Sequence, residues 1–298
     1  MCSRSWADGP PRRPSRTVWS PATCGGRCAR TSTCRAISGE RVSTFALIHG
    51  AWHGPWCWER LIPELERRGH RAVAVDVRFD DPAATFTDHA ATFAAAIDEN
   101  DHDVVAVGHS LGSYALPWIA DRCLLRHQVY LCGLVAEPGR TIAELNREQH
   151  ILNPDHSAGL AKVDGGTRWV DLDLARSIFY PDCDDEIVTS AIPRLRVQAR
   201  EPMSQRCTFD RLPSIPATYI VCADDRMVDP GWSRRVATER LEAEVVELPG
   251  VIRRSTPARR LWPTPCIGSS DTRRRASLPS NTCSLWWSTF ARFVGALS

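Results

Sequence analysis

Ser110 lies at the centre of the pentapeptide Gly108-His109-Ser110-Leu111-Gly112. The apolar residues 104–107 precede it, and apolar residues at helical spacing follow it. A serine between two glycines at a strand-to-helix junction is typical of a nucleophile elbow, whose tight turn lifts the hydroxyl above the sheet. The pattern predicts nucleophilic catalysis by Ser110. The alternative is a glycine-rich packing turn that carries an ordinary serine.

Attack of a serine on an ester creates an oxyanion, which backbone N–H groups must stabilise. The first donor is expected from Leu111, the residue after the nucleophile. The second is expected from the loop that follows the apolar segment 45–48, where Ala51 is the candidate. In the same loop His49 is expected to make structural hydrogen bonds, and His53 either lines a pocket entrance or lies at the surface.

An acidic residue that orients the catalytic base is expected after a late strand, in the order serine, acid, histidine. The apolar segment 217–222 leads into Ala223-Asp224-Asp225, and Asp225 is the candidate. Asp224 is the alternative as a solvated turn carboxylate. Asp229 precedes Pro230 and is typical of a helix N-cap.

Short apolar segments alternate with amphipathic ones from residue 43 to residue 250. They predict strands at 45–48, 72–77, 104–107, 129–134, 217–222 and 243–248. Such alternation indicates an α/β class with a doubly wound, mostly parallel sheet. The stretch from about 137 to 205 interrupts the alternation and is expected to be an inserted helical cap.

Charge divides the 298-residue chain, whose net charge is +2. Residues 1–42 hold eight arginines against two acidic residues, and residues 251–298 hold eight against one. Neither flank has helical periodicity with interleaved aromatic residues, so nucleic acid is not an expected partner. The longest apolar runs are far shorter than the roughly 20 residues that span a membrane, so no membrane partner is expected.

The twelve cysteines suggest neither zinc nor a disulfide scaffold. Cys24, Cys28 and Cys34 lack the paired C-x-x-C spacing of a zinc site. Four others lie within apolar patterns that are typical of small buried hydrophobic residues: Cys57, Cys123, Cys132 and Cys222. We therefore expect reduced cysteines, a cytoplasmic location, and neither a metal nor an organic cofactor.

Three motifs together resemble the α/β-hydrolase superfamily: residues 49–58 (HGAWHGPWCW), the elbow at 108–112, and residues 221–225 (VCADD). The resemblance covers about residues 43–250 and is strongest to plant-type methylesterases, hydroxynitrile lyases and their bacterial relatives. It implies Ser110 as nucleophile, Asp225 as the acid, and Ala51 and Leu111 as oxyanion donors. The hydroxynitrile lyases that this chain resembles carry Gly-Glu-Ser at the elbow, where this chain has Gly-His-Ser, and they use a lysine beside their catalytic histidine. His109 in this chain therefore favours an esterase.

The catalytic histidine of that family is missing. The resemblance places it after the last strand, in a Gly-x-His turn, but here Val251 and Ile252 follow Gly250 and the last histidine of the chain is His156. When residues 251–266 are written in GC-rich codons, a one-base shift encodes His-Ser-Pro followed by an amphipathic helix. We therefore expect a frameshift near codon 250, with a genuine divergent tail as the alternative. His150 and His156 of the cap are the candidate substitutes.

The domain limits follow from these patterns. Residues 1–42 are expected to be a non-native or disordered basic flank, 43–250 the hydrolase domain, and 251–298 an aberrant, frameshifted tail, with both flanks irregular. Trp52, His53 and Trp118 are candidates for the pocket lining, together with the cap residues Leu160, Trp169, Ile178 and Phe179.

The function expected from the sequence is hydrolysis of a small neutral carboxylic ester through an acyl-enzyme. An inactive hydrolase-like binding protein and a hydroxynitrile lyase-like enzyme remain as alternatives. The oligomeric state is left open.

Overall fold

The computed structural model describes residues 42–98, 101, 103–181 and 183–248. The strands of the main sheet are β1 Thr44–Ile48, β2 Arg71–Val75, β3 Val104–His109, β4 His127–Leu131, β8 Ala217–Cys222 and β9 Glu244–Leu248. They pair in parallel in the order β2-β1-β3-β4-β8-β9. The doubly wound, mostly parallel sheet expected from the sequence is thus confirmed.

The central strands are apolar because both faces of the sheet are covered. All five residues of β1 are buried. Phe45 and Leu47 pack into one core cluster, whereas Ala46 and Ile48 pack into another, as alternating side chains of a strand must.

The helices are α1 Ile62–Glu66, α2 Phe86–Ala96, α3 Leu111–Tyr114, α4 Leu116–Arg122, α5 Ile142–Gln149, α6 Leu172–Phe179, α7 Asp185–Ala191, α8 Glu201–Ser204 and α9 Pro230–Glu239. Local sequence sets several of their starts. Thr85 and Asp88 form a capping box at α2, and Asp229 caps α9 by accepting a hydrogen bond from the N–H of Trp232.

The inserted segment differs from the helical cap expected from the sequence. Besides α5, α6, α7 and α8 it contains a three-stranded antiparallel sheet of β5 Leu160–Val163, β6 Gly166–Trp169 and β7 Gln198–Ala199. Gly165 makes the hairpin turn with φ of +72°. A Cβ on Gly166 would lie 2.2 Å from the carbonyl oxygen of Gln198, so the β6–β7 contact requires glycine. These strands are too short to produce a clear period in the sequence.

The expected flanks at 1–42 and 251–298 lie outside the described residues, except for Val42, and their assignment stays a prediction. Across the part of the chain that the structure describes, none of the helices combines the length and hydropathy of a membrane span.

Candidate active site

Ser110 occupies the turn between β3 and α3 with φ of 49° and ψ of −117°, a conformation that a residue with a side chain rarely adopts. Two backbone hydrogen bonds hold the turn: the N–H of Ser110 donates to the carbonyl of Leu131 at 3.0 Å, and the N–H of Leu134 donates to the carbonyl of Ser110 at 3.0 Å. Strained backbone held by its surroundings is typical of functional residues. The geometry is that of a nucleophile elbow.

The two glycines of the elbow are required by close approach. A Cβ on Gly108 would lie 2.5 Å from Cα of Ser113, and a Cβ on Gly112 would lie 2.5 Å from the carbonyl oxygen of His49. The start of α3 therefore packs directly on the end of β1. Gly50 completes this contact, because a Cβ there would lie 3.1 Å from Cβ of Ser110.

The same contact brings both candidate oxyanion donors to the elbow. Ala51 follows Gly50, and Leu111 is the first residue of α3, whose first N–H groups have no partner within the helix. Within the described part of the chain, neither the N–H of Ala51 nor that of Leu111 donates a backbone hydrogen bond. Both remain available to a developing negative charge on a substrate oxygen.

The histidines around the elbow make structural contacts. Both ring nitrogens of His49 lie near carbonyl oxygens, Nδ1 at 2.9 Å from Gly50 and Nε2 at 3.1 Å from Val77. His109 packs edge-on against Trp58 and His53, and burial lowers its pKa to about 3. It is therefore neutral near pH 7.

His53 is buried between the loop that contains Ala51 and the inserted segment, and it does not lie at the surface. Its Nδ1 is 2.8 Å from the carbonyl oxygen of Ala51, and its Nε2 is 2.8 Å from the hydroxyl of Tyr180, the residue after α6. Burial lowers the pKa of His53 to about 4. The ring is 7% exposed, which excludes the surface position.

Asp225 lies in the turn after β8. One of its carboxylate oxygens accepts hydrogen bonds from the N–H of Met227 at 2.8 Å and of Val228 at 3.1 Å. Burial raises the pKa of Asp225, while these two N–H groups oppose that shift. The carboxyl group is therefore fixed in direction. Asp224, its exposed neighbour, makes no such contact among the described residues.

The candidate acid lies two strands from the candidate nucleophile. Ser110 follows β3 and Asp225 follows β8, and β4 separates these strands in the sheet. Carboxyl ends of parallel strands meet at one edge, which is where sites form in open α/β sheets.

An apolar cluster joins the loop that contains Ala51 to the inserted segment. Trp52, Trp169, Ala175, Ile178 and Met227 are its buried members, and Ala51, Leu160, Leu174 and Phe179 pack against them. Trp52, with φ of 58°, anchors the loop by accepting a hydrogen bond at its carbonyl from the N–H of Arg196 at 2.7 Å. Four of the expected lining residues thus meet around Trp52: Leu160, Trp169, Ile178 and Phe179.

Trp118 lies apart from that cluster. Its ring stacks on Phe86 and Tyr114 and meets the edge of Phe209, inside the large core between the sheet and α2. The structure therefore does not bring Trp118 together with Trp52 and His53.

A cavity of about 820 Å³ opens beside Asp225. His150 and His156, the two cap histidines that the sequence singles out, line it together with Asp225 and Met227. Ser110 is not among the lining residues. Nδ1 of His156 hydrogen-bonds the carbonyl of Asn153. The cap histidines thus share a cavity with the acid but not with the candidate nucleophile.

Among the described residues, no group of three or more histidine, cysteine, aspartate or glutamate side chains is arranged so that it could bind a metal ion.

Comparison with known proteins identifies the family. A profile described as "Alpha/beta hydrolase family" matches residues 45–251, more than half of the chain. The chain belongs to the alpha/beta hydrolase family. The expected resemblance is thereby confirmed, since curated relatives of this chain include plant methylesterases and bacterial esterases.

Two relatives each align with more than half of the chain. The carbendazim hydrolyzing esterase of Nocardioides sp. (strain SG-4G) is 28% identical over 188 residues, which cover 60% of this chain and 72% of the relative. The pheophorbidase of Raphanus sativus is 28% identical over 212 residues, covering 64% of this chain and 80% of the relative. Methylesterase 3 of Arabidopsis thaliana is 37% identical, but over 92 residues that cover 28% of this hydrolase and 35% of the relative.

Solved structures agree on the fold. The pyrethroid hydrolase from Sphingobium faniae JZ-2 superposes with a TM-score of 0.60 at 23% identity, covering 70% of this chain and 89% of that one. Polyneuridine aldehyde esterase superposes with a TM-score of 0.59 at 20% identity, covering 70% and 91%. At these identities the likeness shows the alpha/beta hydrolase fold alone.

Three residues near the site were not expected from the sequence to act there. Tyr180 contacts His53, Met227 packs beside Trp52, and the sulfur of Cys132 lies 2.6 Å from that of Cys222, three residues before Asp225. Each meets its partner across many residues of chain, and no local pattern in the sequence marks such a contact.

Proposed function

We propose that this chain is a serine hydrolase that cleaves small carboxylic esters, with Ser110 as nucleophile. The observation that carries the proposal is the strained turn of Ser110, at φ of 49° and ψ of −117°, packed through Gly112 against the loop that contains Ala51. A serine needs neither this conformation nor two unpaired N–H groups beside it in order to make a packing turn. The hydrolase relatives support the same class of reaction.

The proposed reaction is ester hydrolysis in two steps through an acyl-enzyme on Ser110. Ser110 Oγ attacks the ester carbonyl carbon, and the N–H groups of Ala51 and Leu111 stabilise the oxyanion. Collapse of the tetrahedral intermediate expels the alcohol, which takes a proton, and leaves an acyl group on Ser110. Water then hydrolyses the acyl-enzyme and releases the acid. The apolar cluster around Trp52 favours a neutral, apolar or aromatic substrate.

The proton transfers need a base, and we assign to Asp225 the role of orienting it. In the described part of the chain, no histidine hydrogen-bonds Ser110 Oγ, and residues 249–298 contain no histidine in their sequence. Loss of the triad histidine lowers kcat by about 10⁶-fold in a serine protease. We therefore propose that the 298-residue chain is a disabled hydrolase, and that translation in the shifted frame after codon 250 restores the base.

Hydrolysis of p-nitrophenyl acetate tests both statements with three proteins: the 298-residue chain, residues 43–250 continued in the shifted frame, and the latter with Ser110→Ala. Turnover in the shifted-frame protein alone, abolished by Ser110→Ala, supports the proposal. Comparable serine-dependent turnover in the original chain would place the base elsewhere, with His156 as the first candidate to replace.

A binding protein is the second candidate function, because the pocket elements are retained where the base is missing. A fluorophosphonate probe distinguishes the two. Serine-dependent labelling supports the hydrolase, whereas absence of labelling and of turnover in all proteins, together with tight binding of an apolar ester, supports the binding protein.

A further inference from the structure

Two thiols lie side by side at the carboxyl edge of the sheet. Cys132 directly follows β4, Cys222 ends β8, and their sulfur atoms are 2.6 Å apart. The neighbouring strands fix this approach, since Leu131 pairs with Ile220 and the N–H of Cys132 donates to the carbonyl of Ile220 at 2.9 Å. A disulfide bond is about 2.05 Å long, so bond formation requires little movement.

The two cysteines differ in access. Cys132 is buried, and its backbone lies in the left-handed region with φ of 44°, a conformation that few residues other than glycine adopt. Cys222 is partly exposed. A small oxidant therefore reaches Cys222 first, and Cys132 lies behind it as the second thiol.

The surroundings of the pair keep Cys132 protonated. Its thiol donates a hydrogen bond to the sulfur of Cys222. This hydrogen bond, burial and the nearby charge of Asp225 raise the pKa of Cys132, so its proton stays in place near neutral pH. The phenol of Tyr219 is the other titratable group beside them.

We propose that Cys132 and Cys222 are a redox pair that a peroxide oxidises to a disulfide at the carboxyl edge of the sheet. The sulfur of Cys222 attacks one peroxide oxygen, the O–O bond breaks, and an alcohol or water leaves with the proton of that thiol. The sulfur of Cys132 then displaces hydroxide from the Cys222 sulfenic acid, and that hydroxide leaves as water with the proton of the Cys132 thiol. Two thiols lose two electrons, and one peroxide gains them.

Formation of the disulfide is independent of the proposed hydrolase function. The experiment therefore reads the bond directly, without turnover.

Peptide mapping tests the bond in the full-length protein. Cleavage after arginine places Cys132 in residues 127–140 and Cys222 in residues 212–226, each with a single cysteine. After treatment with hydrogen peroxide and alkylation of free thiols, we expect these two peptides to be cross-linked, and to separate after reduction. Cys123→Ala, which removes another partly buried thiol, should leave the cross-link unchanged. Recovery of both peptides separately alkylated, or oxidised to sulfinic acid, would overturn the proposal.

Because this readout does not depend on Ser110, a cross-link in a protein without turnover leaves the redox pair standing, and absence of the cross-link leaves the proposed hydrolase function untouched.

Discussion

Nε2 of His53 lies 2.8 Å from the hydroxyl oxygen of Tyr180. This contact joins the loop that contains Ala51 to the inserted segment. Burial lowers the pKa of His53 to about 4, so its ring is neutral near pH 7 and carries one proton. Nδ1 lies 2.8 Å from the carbonyl oxygen of Ala51 and must donate to it, since a carbonyl cannot donate. Nε2 therefore accepts from Tyr180. A single chain of hydrogen bonds runs from α6 to the loop that holds a candidate oxyanion donor.

Tyr180→Phe should break this chain. The buried Nε2 of His53 would lose its donor, at a cost of about 1–3 kcal/mol in the free energy of unfolding. We also expect slower labelling of Ser110 by a fluorophosphonate in the shifted-frame protein, because the loop with Ala51 becomes less fixed. Urea unfolding and labelling rates measure the two effects.

Tyr130→Phe is the matched control, since it removes a hydroxyl that donates to Gln128 within β4. It should lower stability without changing the labelling rate. Equal labelling rates for Tyr180→Phe and the parent protein would refute a role of the chain in positioning Ala51.

Acid should destabilise the fold between about pH 6.5 and pH 4. Burial lowers the pKa of His53 and His89 to about 4 and that of His109 to about 3, from 6.5. Between these values the unfolded chain binds protons that the folded chain does not, so stability rises with pH in this window and is lost as pH falls. Each histidine contributes a slope of about 1.4 kcal/mol per pH unit where the two states differ by a full proton. The raised pKa of Asp225 acts with the opposite sign at its own titration.

His89→Leu isolates one of these contributions. The ring of His89 packs against Phe79 and Phe86, and its Nε2 is buried without a partner in the described residues. The free energy of urea unfolding of this variant should depend less on pH between 6.5 and 4. Phe93→Leu, a packing change on the same helix, should lower stability and keep the slope. An unchanged slope in His89→Leu would contradict the assignment.

Asp225→Asn should abolish most turnover in the shifted-frame protein. An amide keeps one oxygen for the N–H groups of Met227 and Val228 but cannot stabilise a protonated histidine. The loss of kcat should be about 10⁴-fold, with KM little changed. Asp224→Asn, on the exposed neighbour, should retain activity. Loss of activity in Asp224→Asn instead would exchange the two assignments.

Gly112→Ala should disrupt the site and destabilise the fold by about 3 kcal/mol or more, because its Cβ would lie 2.5 Å from the backbone oxygen of His49. Gly139→Ala is the control: its φ is +72° but no atom lies within 4 Å of the added Cβ, so we expect a cost of about 1–2 kcal/mol. Urea midpoints compare them. Similar midpoints would mean that β1 can move away from α3.

Much of the fold could be predicted because local patterns decide it. The apolar segment 217–222 coincides with β8, and 45–48 falls within β1, since a strand buried on both faces must be continuously apolar. The bounds of β4 differ from the prediction: the apolar pattern predicts a strand at residues 129–134, but the strand is His127–Leu131. Apolar residues after it, such as Leu134, are buried in irregular chain, and burial alone does not distinguish a strand from a loop.

The sequence by itself determined the strand-to-helix turn at Ser110 and the acidic turn at Asp225, because each depends on a few adjacent residues whose backbone demands are visible in their types. Only the tertiary structure decided that His53 meets Tyr180, that Cys132 meets Cys222, and that the inserted segment contains a sheet. These contacts join residues far apart along the chain. Their geometry depends on the path that the strands and the inserted segment take in space, which no local period records.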